Sequence, residues 1–219
     1  MADPYLLVTH WTRPAPSYDK LARSVIPKLV GLGLSAYLTS STQTHFFDDL
    51  EVASQWLKNH REALIERFVI DFSAGISLAT TDWGHSETII ELALESADSN
   101  SIAVPNGREE IFAKIRALAC ALALESDSRF VWLTRVPGDV DGVDDAVAAF
   151  DVELSEKSSH PLLLDDLSHT GWLFAWSPGD TGRTIRTSEK IVSVGNCQYV
   201  ELVNDRPIDL VPGWVIAGR

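Results

Sequence analysis

Apolar residues recur along this chain in two different periods, and their order limits the folds open to it. Residues 108–125 carry them at helical spacing, in an alanine-rich run free of proline and glycine. Two earlier segments also have the helical period. Ser17 is placed to cap a helix in which Leu21, Val25, Leu29 and Leu32 share a face, Pro27 bends it, and Gly31 and Gly33 close it. A second helix is expected over residues 48–68, with Val52, Trp56, Leu57, Leu64 and Phe68 as its apolar stripe and Lys58, Arg61, Glu62 and Glu66 facing water.

The remaining apolar segments are short, alternating, and bounded by turn residues. Strands are expected at residues 5–11, 36–38, 73–80, 89–94, 101–104, 130–136 and 172–176, with 73–80 and 89–94 antiparallel neighbours. Residues 191–203 have the pattern of a hairpin turning at Gly195-Asn196. Residues 39–44 look like a Ser/Thr-rich loop, and residues 146–164 carry no clear period. Helices stand between strands early and strands gather late. That order predicts an α+β fold, a mostly antiparallel sheet with about three helices packed against it, forming a single domain over residues 1–219.

Composition agrees with a folded globular chain, since 45% of residues are hydrophobic and 22% charged. The longest apolar stretch, residues 117–124, falls well short of the ~20 residues a membrane helix needs. The N-terminus lacks the basic and apolar regions of a signal peptide, so a cytoplasmic protein is expected. The two cysteines, Cys120 and Cys197, are then expected as free, buried or half-buried thiols, with a disulfide between them as the alternative.

Local catalytic signatures fail on their context. Gly31-Leu32-Gly33-Leu34-Ser35-Ala36 matches the dinucleotide fingerprint, yet it follows a helix and opens an extended segment, the reverse of what pyrophosphate binding requires. Ser17-Tyr18-Asp19-Lys20 matches a serine–lysine pair, but its companion Lys-Thr-Gly is absent and Ser17 serves better as a cap. His10, His45, His60, His85, His160 and His169 are dispersed without metal-ligand spacing. The Asp139, Asp141, Asp144, Asp145, Asp165 and Asp166 carboxylates lack the calcium-loop pattern. A non-enzymatic protein without metal or cofactor is expected. The alternative is a small hydrolase or metal-dependent enzyme assembled from His10, His45, His85, Asp82 and Glu87.

Charge is the sharper signal. There are 18 basic against 31 acidic residues, a net −13, which disfavours nucleic acid and anionic membrane as partners. Between Asp139 and Asp166 nine carboxylates face a single base, Lys157, so this stretch alone carries −8. It is a solvated surface or an electrostatic match for a basic protein, with Asp139, Asp141, Asp144, Asp145, Asp151 and Glu153 as candidate contacts. Among seven tryptophans, Trp132 and Trp172 fall inside strand patterns and belong in a core. Trp83, expected in a turn, is the candidate aromatic anchor of an interface.

The opening strand ending in Trp11-Thr12-Arg13, with Ala22 and Leu29 in the helix after it, resembles the start of the immunity-protein-52 family of bacterial polymorphic toxin systems. The Thr170-Gly171-Trp172-Leu173-Phe174-Ala175-Trp176-Ser177 strand and the closing Pro212-Gly213-Trp214 are similar to that family's C-terminal half. Thr12 stands where the family pattern has glycine. The resemblance implies an α+β protein that protects its own cell by stoichiometric binding of a cognate toxin, typically a nuclease, with no catalytic residues. Whether such a protein is a monomer or a dimer stays open.

Overall fold

Local chemistry sets the first elements. In the computed structural model, which describes residues 5–11, 16–71, 76–83, 87–94, 107–125, 128–135, 162–163, 173–178 and 185–201, the Ser17 hydroxyl accepts the Lys20 amide at 3.3 Å and starts helix α1 (Tyr18–Val25). Leu21, Ala22 and Val25 form its buried face. Pro27 enters the first turn of a 3-10 helix (Ile26–Leu29), which continues α1 in the tighter form that proline tolerates. Gly31 and Gly33, with φ of +86° and +63°, then release the chain into strand β2 (Ser35–Ser40). The fingerprint-like glycines are thus a helix exit.

The loop expected at residues 39–44 is instead a hairpin. β2 extends through Ser40 and pairs with β3 (Thr44–Phe47). Asp49 caps helix α2 (Leu50–Asn59), its carboxylate accepting the Glu51 amide at 2.7 Å. The helix expected over residues 48–68 therefore ends at Asn59, and strand β4 (Ile65–Asp71) follows. The cause of the misreading is a β-bulge. β4 pairs Leu38 with Phe68 and Thr39 with Arg67, then skips Glu66 to pair Ser40 with Ile65. Ile65 and Phe68 thereby come to one buried face three residues apart, a spacing that imitates a helix. Val52 and Leu64, expected in the stripe, are exposed.

The other strands are β1 (Tyr5–Trp11), β5 (Ile76–Trp83), β6 (Glu87–Leu94), β7 (Ser128–Arg135), β8 (Leu162–Leu163), β9 (Leu173–Trp176), β10 (Ile185–Arg186), β11 (Val192–Val194) and β12 (Cys197–Glu201). Ten of them form one sheet in the order β11-β12-β9-β7-β1-β6-β5-β4-β2-β3, with every neighbouring pair antiparallel. β8 and β10 make a separate short parallel pair. The first strand of the chain is the keystone: β1 lies between β6 and β7 and joins the early strands to the late ones. The expected β5–β6 pairing and the hairpin at Gly195-Asn196 are both present. Residues 101–104 and Trp172 lie outside the described residues.

Helices cover one face of this sheet. α1 packs on β4, α2 on β2 and β3, and helix α3 (Gly107–Ala123) on β7, β9 and β12. The sheet side chains turned toward them are Ala36, Leu38, Phe68 and Ile70 at one end and Val131, Leu133, Leu173 and Ala175 at the other. This is an α+β fold with an antiparallel sheet, as the element order predicted.

The two ends differ on the opposite face. There Phe130, Trp132, Phe174, Trp176 and Val200 are also buried, with Phe130 and Phe174 rings 5.1 Å apart. At the β2–β3 end, Tyr37 and Phe46 lie against each other at 4.7 Å but stay 40% and 55% exposed. β7 and β9 are buried on both faces, whereas the β2–β3 end is open on one.

The cysteines correct the expectation of free thiols: Cys120 and Cys197 form a disulfide, with Cα atoms 5.6 Å apart. The reason is packing. Cys197, Tyr199 and Glu201 alternate onto the helix-facing side of β12, where Cys197 meets Cys120 and Glu201 meets Arg116 at 2.6 Å.

Candidate functional site

The acidic candidates Asp139, Asp141, Asp144, Asp145, Asp151 and Glu153 lie outside the described residues. Trp83 is not in a turn: it is the last residue of β5, directly opposite Glu87 of β6. The ladder with β6 continues to that point, three residues beyond the expected end of the strand at residue 80.

Of the residues offered for an assembled enzyme site, His85 lies outside the described residues, and the other four are partly separated. His10 pairs in register with Glu87, whereas Asp82 pairs with Thr88 and is one position out of phase with Trp83. His45 stands on β3, five strands from β1 and roughly 24 Å away at the usual interstrand spacing. His45 is also engaged locally. Its ring sits 4.6 Å from that of Trp56 and its Nε2 is 2.6 Å from the Gln43 amide nitrogen. Trp56 stacks in turn on His60 at 4.5 Å, and the His60 Nδ1 contacts the Trp56 carbonyl at 2.9 Å. Among the described residues no group of three or more His, Cys, Asp or Glu side chains is arranged to hold a metal ion.

A groove of about 460 Å³ does open between α1 and α2. Helical spacing builds both walls. Asp19, Arg23 and Pro27 recur at four-residue intervals along the first helical segment, and Ser54, Leu57, Lys58 and Arg61 recur at three and four along and just beyond α2.

Arg23 organises this groove. Its Nε contacts both Asp19 oxygens at 3.0 Å. Nη1 donates to the Leu57 carbonyl at 2.6 Å, and Nη2 donates to the His60 and Ala63 carbonyls at 3.1 and 2.6 Å. These carbonyls belong to the C-terminal end of α2 and the turn after it, where helical partners run out and the dipole favours a cation. Asp19 also accepts the Ile65 amide at 3.1 Å, which ties α1 to the start of β4. One ion pair therefore joins two helices and a strand. Sequence inspection passed it over because Asp19 and Arg23 look like an ordinary exposed i,i+4 pair; their long-range acceptors are backbone carbonyls that no sequence marks.

Charge at the groove opposes charge on the chain. Arg23, Lys58 and Arg61 line it against one carboxylate, Asp19, in a protein of net −13. No protein-family model matches the chain, and neither a curated protein nor a solved structure matches it.

Proposed function

We propose that this chain is an immunity protein that binds and neutralises a cognate basic toxin domain, a nuclease, by stoichiometric occlusion. The observation that carries the reading is the charge segregation: −8 of the net −13 lies between Asp139 and Asp166, and all the other residues together carry −5. Carboxylates gathered in one stretch raise the encounter rate with a basic protein and orient it on approach, an effect that scattered charges give only weakly. The resemblance of the Trp11 strand and the 170–177 segment to a toxin-neutralising family points the same way. Trp83, at the end of β5, is the proposed aromatic anchor.

The compartment is part of the proposal. Among the described residues no helix is long and apolar enough to cross a membrane. The cytoplasmic expectation carried free thiols with it, whereas a paired Cys120 and Cys197 fit an oxidising compartment, where disulfides persist.

The test is association of the full chain with the toxin domain encoded beside it, followed by stopped flow across a salt series. The expected result is a stoichiometric complex that abolishes toxin activity, with an on-rate that falls as salt rises. Changing Asp139, Asp141, Asp144 and Asp145 together to Asn should slow association at low salt. A salt-independent on-rate would remove the electrostatic argument, and no complex with that domain would overturn the function.

A further inference from the structure

Independently of that reading, we infer that the groove between α1 and α2 is a binding site for a small organic anion, a carboxylate or phosphate ester carried on an apolar body. Three observations meet there. First, the groove's volume of about 460 Å³ lies within the range of small-molecule sites. Second, its cations are unevenly committed. Arg23 spends its guanidinium on Asp19 and three backbone carbonyls, and Asp19 is neutralised in return. Lys58 and Arg61 have no ion-pair partner among the described residues, so the lining keeps a net charge of +2. Third, Ser54 lines the groove while only 2% exposed, and its hydroxyl has no hydrogen-bond partner among the described residues. That hydroxyl is not one of the wholly buried polar atoms left without a partner, so it opens to the groove's solvent and can donate to a bound acceptor beside two uncommitted cations.

These groups divide the ligand's chemistry. Lys58 and Arg61 meet the anionic head, and the Ser54 hydroxyl donates to one of its oxygens. Pro27 on one wall, with the small exposed edge of Leu57 on the other, takes the apolar body. A bare inorganic ion uses only half of this lining. A polyanionic macromolecule is disfavoured by the long-range field of a −13 chain, whereas a small ligand at contact distance feels chiefly the local cations, because ionic screening acts over about 8–10 Å.

The experiment is an NMR titration of the full isotope-labelled chain with phenyl phosphate, with inorganic phosphate and a short Glu-Leu-Asp peptide as separate arms. Saturable amide shifts at Ser54, Leu57, Lys58 and Arg61, stronger for phenyl phosphate than for inorganic phosphate, are expected. Lys58→Gln with Arg61→Gln should weaken binding about tenfold at unchanged melting temperature. Ser54→Ala, which a helix accepts readily, should weaken it about threefold. No saturation across the millimolar range, or unchanged affinity in the double variant, overturns the site. Equal binding of inorganic phosphate overturns the apolar part of the assignment, and tighter binding of the peptide reassigns the groove to a protein partner.

Discussion

Replacing Arg23 by Met tests how much of this fold hangs on one side chain. Met keeps the unbranched aliphatic stem and removes every donor, so packing changes little while the polar contacts vanish. The guanidinium serves the Leu57, His60 and Ala63 carbonyls and the Asp19 carboxylate, and the two side chains are 24% and 23% exposed. At the low end for charge-assisted bonds, about 1.5 kcal/mol each, the three carbonyl contacts amount to about 4–5 kcal/mol. Water re-solvates the freed carbonyls in part, which leaves a net loss of about 3 kcal/mol. With a urea slope of about 2 kcal/mol/M, that loss lowers the unfolding midpoint by about 1.5 M at unchanged slope. Arg23→Lys should recover less than half, because one ammonium cannot span Asp19 and carbonyls on two sides of a turn. Asp19→Asn should cost less than Arg23→Met, since its amide oxygen still accepts the Ile65 amide. The double variant should then show positive coupling between the two positions. A cost under about 1 kcal/mol for Arg23→Met would refute the reasoning and return the pair to the rank of an ordinary surface ion pair.

Two further outcomes can be checked on the same preparation. The disulfide closes 77 residues of chain, worth about 4.5 kcal/mol in the chain-entropy account, so Cys120→Ala with Cys197→Ala should lower stability by an amount of that order. Reductant should destabilise the parent chain and leave the variant unmoved, and two titratable thiols in the denatured, unreduced chain would refute the pairing. Glu110 is held below its ordinary value by the hydrogen bond and charge of Lys114, 2.8 Å away. A depressed carboxyl contributes stability that is fully present above its unfolded value and lost as pH falls through its folded one. Lys114→Met should therefore raise the Glu110 titration midpoint measured by carbon-detected NMR, and an unmoved midpoint would refute the contact.

What the sequence made legible follows from the range of the forces involved. α3, the β5–β6 pair and the hairpin at Gly195-Asn196 each announce themselves within one element or one turn, because period and turn chemistry are local. The exit through Gly31 and Gly33 is local in the same sense. The failures cluster where two distant segments decide together. The Glu66 bulge exists only because β4 must keep register with β2, and it gives Ile65 and Phe68 a spacing that mimics a helix. The Cys120–Cys197 bond depends on which face of β12 meets α3, a parity that a one-residue slip would reverse. The groove shows both sides of this. Ser54, Leu57, Lys58 and Arg61 stand at visible helical spacing, as do Asp19, Arg23 and Pro27. No property of either set says that they face each other. That is settled by Arg23 reaching carbonyls 34 to 40 residues away, and a backbone carbonyl carries no letter in the sequence. Lys58 and Arg61 are exposed, as charges facing water should be, and with the helix ending at Asn59 they also form the rim of an electropositive groove on an acidic protein. A charge is therefore assignable to solvent or to a site only after the element carrying it has been given its true end.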